Sequence, residues 1–450
     1  MPIRFPDVRR WLILASCTAL QLCLGTVYAW SFFQKMLVEQ FGWTWGQTAA
    51  AFSITIFSLG ISAAWGGMAL PRLGPRKLAL AGSVMFCGGY LIGSLALELD
   101  LLFLFYVGYG VMGGAGIGLG YVTPVATASK WFPDHKGLAT GITVMGFGVG
   151  ALLLSKGLAP FLVVQTQHDL TMVFFWLGII FACILIPVSF FMADPPADFD
   201  PTKSTEEEEQ EGQEAPVPQP EPEAAPPMKA CLTSPEYAIM WIVFFFNIAA
   251  GISVISFQSP LLQDVWGLAD SSLEPEVLAG YGATLIAVSS LCNGVGRLLW
   301  GLLSDRIGRV RVFQILLGSQ VVVFGILMTE TNPWIFSILV CYILLCFGGG
   351  FATMPSFVTD VFGTERMSAV YGTILTAWSA AGVFGPLYVG YLMDQFPDRA
   401  VTYCFLIGVV MLVFGYVFTF LLRDDRIQVS RPTVEGTLRE FGIEPRPREA

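Results

Sequence analysis

Arg297 follows directly on an uncharged stretch, 277–296, and no acidic residue lies in any of the long uncharged stretches of this chain. A charge held at the centre of a bilayer costs at least about 2.5–3.5 kcal/mol, so such a residue is normally paired or functional. A guanidinium without a counter-ion is a ready clamp for a carboxylate, because its fork matches two oxygens. Asn293 stands four residues earlier, on the same face of a helix, and can donate to a hydroxyl or a carboxylate. Tyr28 and Tyr121 are set among glycines. Gly116, Gly118 and Gly120 thin the helix wall beside Tyr121. Their phenols can hold an anion while the rings wall the site. Lys156 follows another apolar stretch, 137–155, within the same expected helix and nearer its outer side, where it could draw anions inward or gate a mouth. It could equally be an interfacial lysine that snorkels.

The rest of the inventory narrows the chemistry. The only histidines, His135 and His168, fall in loops expected on opposite sides of a membrane, which excludes a histidine-based catalytic or metal site. The nine cysteines contain no CxxC pair and read as small packing residues. Clustered His, Cys or acidic residues inside the apolar runs are lacking, so no enzyme, metal or cofactor is expected. Neither is a nucleic-acid partner.

These residues need elements to position them. Hydrophobic residues make up 54% of the 450-residue chain and charged residues 13%, against about 25% charged in soluble domains. The uncharged runs are 11–34, 43–71, 78–97, 101–129, 137–155 and 170–193, then 237–263, 277–296, 312–329, 331–359, 367–393 and 400–422. A bilayer core of about 30 Å takes roughly 20 apolar residues per helix. The expected fold is therefore an all-α membrane protein of twelve transmembrane helices. The first run is too long and too aromatic for a signal peptide and closes on no A-x-A pattern, so it is taken as helix 1.

Charge sets the orientation. Of the 24 Lys and Arg, only Lys35 and Arg399 lie in loops on the outer side when both termini are placed inside. Only Lys156 and Arg297 fall within helices. Cytoplasmic loops are enriched in Lys and Arg, so both termini are expected in the cytoplasm of a plasma-membrane (cell inner membrane) protein. Between the two sets of six runs, residues 194–235 hold Glu206 to Glu209 and then alternate Pro, Glu, Gln and Ala. Such composition cannot bury a core and is expected to be a disordered cytoplasmic linker. The net charge of −10 sits largely there. The organisation is thus 1–193 as one six-helix bundle, 194–235 as linker, 236–422 as a second bundle and 423–450 as a cytoplasmic tail. The halves repeat. Gly67 to Gly74 corresponds to Gly301 to Gly308 at an offset of about 234, and Gly118 to Thr123 corresponds to Gly348 to Thr353 at about 230. Repeated halves around a central site are a common transporter plan.

The segment Gly301-Leu-Leu-Ser-Asp-Arg-Ile-Gly-Arg309 resembles the loop signature G-x-x-x-D-R-x-G-R of the major facilitator superfamily, and falls between the second and third helices of its half. The resemblance implies that Asp305, with Arg306 and Arg309, locks the cytoplasmic side. The first-half copy has Pro71 where Asp305 stands in the second, so a weaker lock is expected there. Three stretches resemble the oxalate:formate antiporter family, a group related to the monocarboxylate transporters. They are Gln21-Leu-Cys-Leu-Gly-Thr-Val-Tyr-Ala-Trp-Ser31, Lys130-Trp-Phe-Pro-Asp-His-Lys-Gly-Leu-Ala139 and Asn293-Gly-Val-Gly-Arg-Leu-Leu-Trp-Gly301.

That resemblance implies small organic anions as cargo and Arg297 as the binding cation. It also marks two departures. The oxalate carrier of that family has Lys where Trp378 stands, and uses it with the helix 8 Arg to bind two carboxylates. Animal monocarboxylate transporters carry Asp at the position of Asn293, where it serves proton coupling, and Asn cannot titrate. The expected function is a secondary active transporter, a monomer, that carries monocarboxylates such as lactate or pyruvate by alternating access. Symport with protons and exchange for a counter-anion are both open. The site would comprise Arg297, Asn293, Tyr28, Tyr121 and Trp378. Two alternatives remain: an oxalate/formate-type exchanger, and a sensor of the same fold whose linker and tail recruit a partner.

The topology has a direct check. A cysteine placed at Gln210 in a cysteine-free background is expected to resist an impermeant reagent on intact cells, and outside labelling would overturn the orientation. Deleting most of the linker should leave transport largely intact.

Overall fold

The computed structural model describes residues 5–132, 136–196, 227–363 and 366–423, all helix and connecting loops with no strand among them. Eleven of the described helices are long and apolar enough to cross a membrane. They are α1 (Arg9–Phe41), α2 (Trp45–Leu73), α3 (Pro75–Glu98), α4 (Leu102–Trp131), α5 (Ala139–Gln165) and α6 (Leu170–Phe191), then α7 (Pro235–Ala269), α8 (Pro275–Ile307), α9 (Arg309–Leu327), α10 (Pro333–Phe362) and α12 (Pro397–Thr419). The remaining member, α11, is broken at Leu375 into Met367–Ile374 and Thr376–Gln395. The architecture is the expected multi-pass helical membrane protein. His135, residues 197–226 of the acidic segment and the tail from 424 lie outside the described residues. The described end of the acidic segment holds a short helix, Met228–Leu232, with Cys231 buried.

Local sequence explains where helices start and turn. Thr44 and Gln47 form a reciprocal capping box at the start of α2: Thr44 Oγ1 accepts from Gln47 N at 3.1 Å and Gln47 Oε1 accepts from Thr44 N at 2.9 Å. Asn332 caps α10 through Trp334 N at 2.9 Å. The tight turns between α2 and α3 and between α8 and α9 run through Gly74 and Gly308, at φ of 77° and 93°. Residues with a Cβ rarely adopt that region. The two glycines keep the 234-residue offset of the repeat.

The helices run further than the uncharged stretches that announce them. α7 continues to Ala269 and includes Asp264, α10 ends just past Asp360, and α11 carries Asp394 near its end. The charges sit on the terminal turns, where water or a partner can reach them.

The halves meet chiefly along two pairs of helices, α2 with α11 and α5 with α8. Small residues make this possible. A Cβ on Gly148 would lie 2.8 Å from Gly294 Cα, and one on Gly60 would lie 2.8 Å from Leu375 O. Polar contacts fix the side away from the α2–α3 and α8–α9 turns, here called the far side. Asp394 accepts from Trp45 N at 2.9 Å and from Gly46 N at 2.8 Å, so a carboxylate of one half caps a helix of the other. Lys35 Nζ donates to Gln263 Oε1 at 3.0 Å. Lys156 Nζ reaches Gly280 O at 3.5 Å. In the amide orientation that satisfies both its ends, Gln34 donates to Ser256 O and accepts from Trp30 Nε1 at 3.1 Å. Nearer the turns, Gly372 approaches Ala64 and Gly141 approaches Leu298.

The far-side closure can be read out by labelling. Exposed polar contacts contribute about 0.2–1 kcal/mol each, so removing the two Asp394 contacts should shift the closed population a few-fold. Asp394→Ala is expected to raise, by that factor, the labelling of a cysteine placed at Gln263 by an impermeant maleimide. An unchanged rate would show that other contacts alone hold this side shut.

Candidate functional site

α1 is not uniformly α-helical: it tightens into a 3-10 turn over Gly25–Ala29. Tyr28 lies in that turn, against α5, with its ring 5.2 Å from Phe147. α4 carries a π-helical stretch, Tyr106–Gly113, before the regular helix that holds Tyr121. Tyr121 is 5.1 Å from Phe147 and 5.4 Å from Trp378. The break in α11 sits three residues before Trp378, whose backbone N–H donates to Leu375 O at 2.9 Å. Trp378 is 4.7 Å from Phe351 of α10 and 6.3 Å from Tyr28. Residues of both halves therefore form one aromatic box.

Arg297 enters this box from α8. It is 2% exposed, with its guanidinium carbon 5.1 Å from the Phe351 ring centre and 5.8 Å from that of Phe147. Phenyl faces attract a cation, more strongly when water is excluded. Nε donates to Asn293 Oδ1 at 3.4 Å, a long bond. Both terminal nitrogens, Nη1 and Nη2, have no hydrogen-bond partner, and the ion pairs among the described residues do not include Arg297. The hydroxyls of Tyr28 and Tyr121 and the Trp378 indole N–H are likewise buried without partners. Buried donors are almost always satisfied in a folded protein, and the four side chains that carry these meet in one box. What they can satisfy together is a small group rich in acceptors.

All five expected site residues thus come together across the halves, each almost fully buried. The four residues expected to gate lie elsewhere. Arg309 bonds Asp305 at 2.6 Å, Asp360 of α10 at 3.1 Å and the hydroxyl of Ser304, so it ties the α8–α9 turn to the end of α10. Arg306 is exposed. In the first half, Pro71 and Pro75 occupy the positions of Asp305 and Arg309. There Lys130 of α4 pairs with Asp194 after α6 at 2.7 Å. Lys156 is exposed at the far side, in a π-helical stretch of α5, outside the aromatic box.

Sequence reasoning missed Phe147, Phe351 and Tyr371. Tyr371 lies within electrostatic reach of Arg297, Tyr121 and Tyr28. Their signal was present but weak: Phe147 sits between Gly146 and Gly148, Phe351 follows three glycines and Tyr371 precedes Gly372. Aromatics beside glycine mark places where one helix yields room to another.

Two six-helix halves closing over a central cation define a secondary-transporter architecture. The chain belongs to the Major Facilitator Superfamily, whose family model matches residues 14–288 and 272–446. It is 25% identical to the oxalate:formate antiporter of Oxalobacter formigenes over 379 residues, 84% of this chain and 83% of that one. It is 25% identical to monocarboxylate transporter 12 of Mus musculus, over 95% of this chain and 88% of the relative. Apicoplast pyruvate carrier 1 of Toxoplasma gondii is 25% identical, over 71% of this chain and 64% of the relative. Among solved structures, a D-xylose-proton symporter shares the fold with a TM-score of 0.69 at 13% identity, covering 93% of this chain and 99% of the other.

The close approach of α5 and α8 that frames Arg297 is testable by its sterics. Gly148→Ala would drive a methyl into the Gly294 backbone, and overpacking of this kind costs about 1–3 kcal/mol. Gly267 has open space around it, so Gly267→Ala serves as the control and gains helix propensity. Melting of the purified protein in detergent should fall for the first and hold or rise for the second.

Proposed function

We propose that this transporter carries small monocarboxylates by alternating access, with Arg297 as the carboxylate clamp. The observation that carries the reading is the set of orphaned donors: Arg297 Nη1 and Nη2, Tyr28 Oη, Tyr121 Oη and Trp378 Nε1. A carboxylate offers up to four lone-pair sites on two oxygens, which suits such a set better than any neutral apolar cargo. The names of the relatives support the same class, since they include an oxalate:formate antiporter, a monocarboxylate transporter and a pyruvate carrier.

Charge matching favours one carboxylate over two. Arg297 is the one cation in the box among the described residues, and Lys156 is exposed with Gly280 O as its contact. A second carboxylate would be buried without a partner, which costs several kcal/mol. Trp378, fully buried, supplies an apolar wall suited to a methyl or short alkyl group. An oxalate exchanger remains the second reading because of the oxalate:formate relative. The turn residues Asp305, Arg306 and Arg309 are assigned to closure of the cytoplasmic side, and Lys156 to the outer mouth. Driving force comes from symport or exchange. Asn293 cannot carry a coupled proton.

Uptake of labelled lactate into proteoliposomes tests the clamp. Arg297→Gln is expected to reduce uptake at least about 100-fold, as loss of one partner of a buried charge pair costs roughly 3–5 kcal/mol. Arg297→Lys should also be poor, because a point charge cannot reproduce the fork. Trp378→Lys should shift preference toward oxalate. Unchanged uptake by the Gln variant would remove Arg297 from the site.

A further inference from the structure

The polar face of α8 continues beyond Asn293. One turn toward the far side lie Ser290 and Ser289, and here a cavity opens, bounded by Tyr28, Gln258, Ser289, Ser290 and Asn293 and completed by apolar side chains. It has about 10 Å³ of room for the centre of a water-sized group, enough for about one oxygen atom. No charged side chain lines it.

Around it, the amide oxygens are already used and the amide nitrogens of two lining residues are not. Gln258 is 2% exposed and its Oε1 accepts from Ser289 Oγ at 2.7 Å, so its amide nitrogen is the remaining polar end. Asn293 Oδ1 is turned to Arg297 Nε, which leaves its amide nitrogen likewise. Ser290 Oγ is used: it donates to Gly148 O at 2.7 Å and accepts from Leu152 N at 3.2 Å, strapping α8 to α5. The Tyr28 hydroxyl has no protein partner.

We propose that this cavity is a substrate subsite for one uncharged oxygen, a hydroxyl or keto group carried close to the clamped carboxylate. The cargo class it selects is hydroxy- and oxo-monocarboxylates. The inference rests on the carboxylate reading of Arg297 and adds to it. Asn293 borders the cavity and accepts from Arg297 Nε at 3.4 Å, so the guanidinium and the cavity are separated by one side chain, which suits an acid whose oxygen is adjacent to its carboxylate. A methyl group in the same place would leave the amide donors unpaired, and sites built to hydrogen-bond a substrate oxygen discriminate against analogues that lack it. A second carboxylate brings two oxygens and a charge, and the cavity has room and partners for neither.

Competition against labelled lactate in proteoliposomes tests this with propionate, which keeps the chain length and lacks the oxygen. The wild type is expected to bind lactate and pyruvate about tenfold more tightly than propionate, the worth of one neutral hydrogen bond. Gln258→Leu should bring that ratio close to one. Ser289→Ala is the gentler change, which unanchors the Gln258 amide, and should lower the ratio several-fold if the Leu variant fails to accumulate. A wild-type ratio near one, or a ratio that neither variant moves, overturns the subsite while leaving the clamp standing. Full uptake by Arg297→Gln, or no monocarboxylate uptake by the wild type, overturns the clamp and the subsite with it.

Discussion

Arg297 has no counter-ion among the described residues, and everything around it answers to that fact. A buried guanidinium loses its hydration and must recover it from protein dipoles, rings or a ligand. Phe147 and Phe351 supply ring faces, and Asn293 supplies a single long hydrogen bond. The terminal nitrogens recover nothing from the protein. Within the protein the guanidinium is therefore electrostatically incomplete, and the proposed anion would complete it. Since Phe147 belongs to one half and Phe351 to the other, completion also draws on both halves at once. In the proposed transport cycle this would link occupancy to closure.

The interface that allows this is built from absences of side chain. Gly60 and Gly148 bring helix backbones of the two halves close together: Gly60 faces the Leu375 carbonyl and Ser379, and Gly148 faces the Gly294 backbone and Arg297 Nε. The irregular turns of α1, α4, α5 and α11 lie in the helices that line this seam or bring residues to it. Backbone groups released by such irregularities are tolerated inside a membrane only where protein surrounds them.

Much of this was legible in the sequence, for definite reasons. Membrane helices announce themselves through uncharged runs, so the two sets of six followed from residue types alone. Arg297 was visible because a charge beside an apolar run is costly, and Asn293 because a four-residue spacing shares a helix face. Tyr28 and Tyr121 were visible as phenols set among glycines, and Trp378 was placed with help from family resemblance. Phe147, Phe351 and Tyr371 escaped because an aromatic in an apolar run is the commonest of residues there, and its direction depends on how helices cross. Asp394 escaped for a related reason. Its partner is the backbone of a helix some 350 residues away in sequence, and main-chain amides leave no trace in a sequence pattern. Helix ends were also understated, since terminal turns carry charges that end an apolar run before they end the helix.

The receiving side of the Asp394 contact has an evolutionary consequence. The carboxylate rests on the N–H groups of Trp45 and Gly46, which nearly every amino acid possesses. Substitution at either of those positions leaves the partner in place unless the newcomer is proline, which has no N–H. The contact is thus robust to drift in α2 and fragile at a single codon in α11. Relatives that have lost this form of closure should show it as a change at the position of Asp394, with free variation at the two positions it faces.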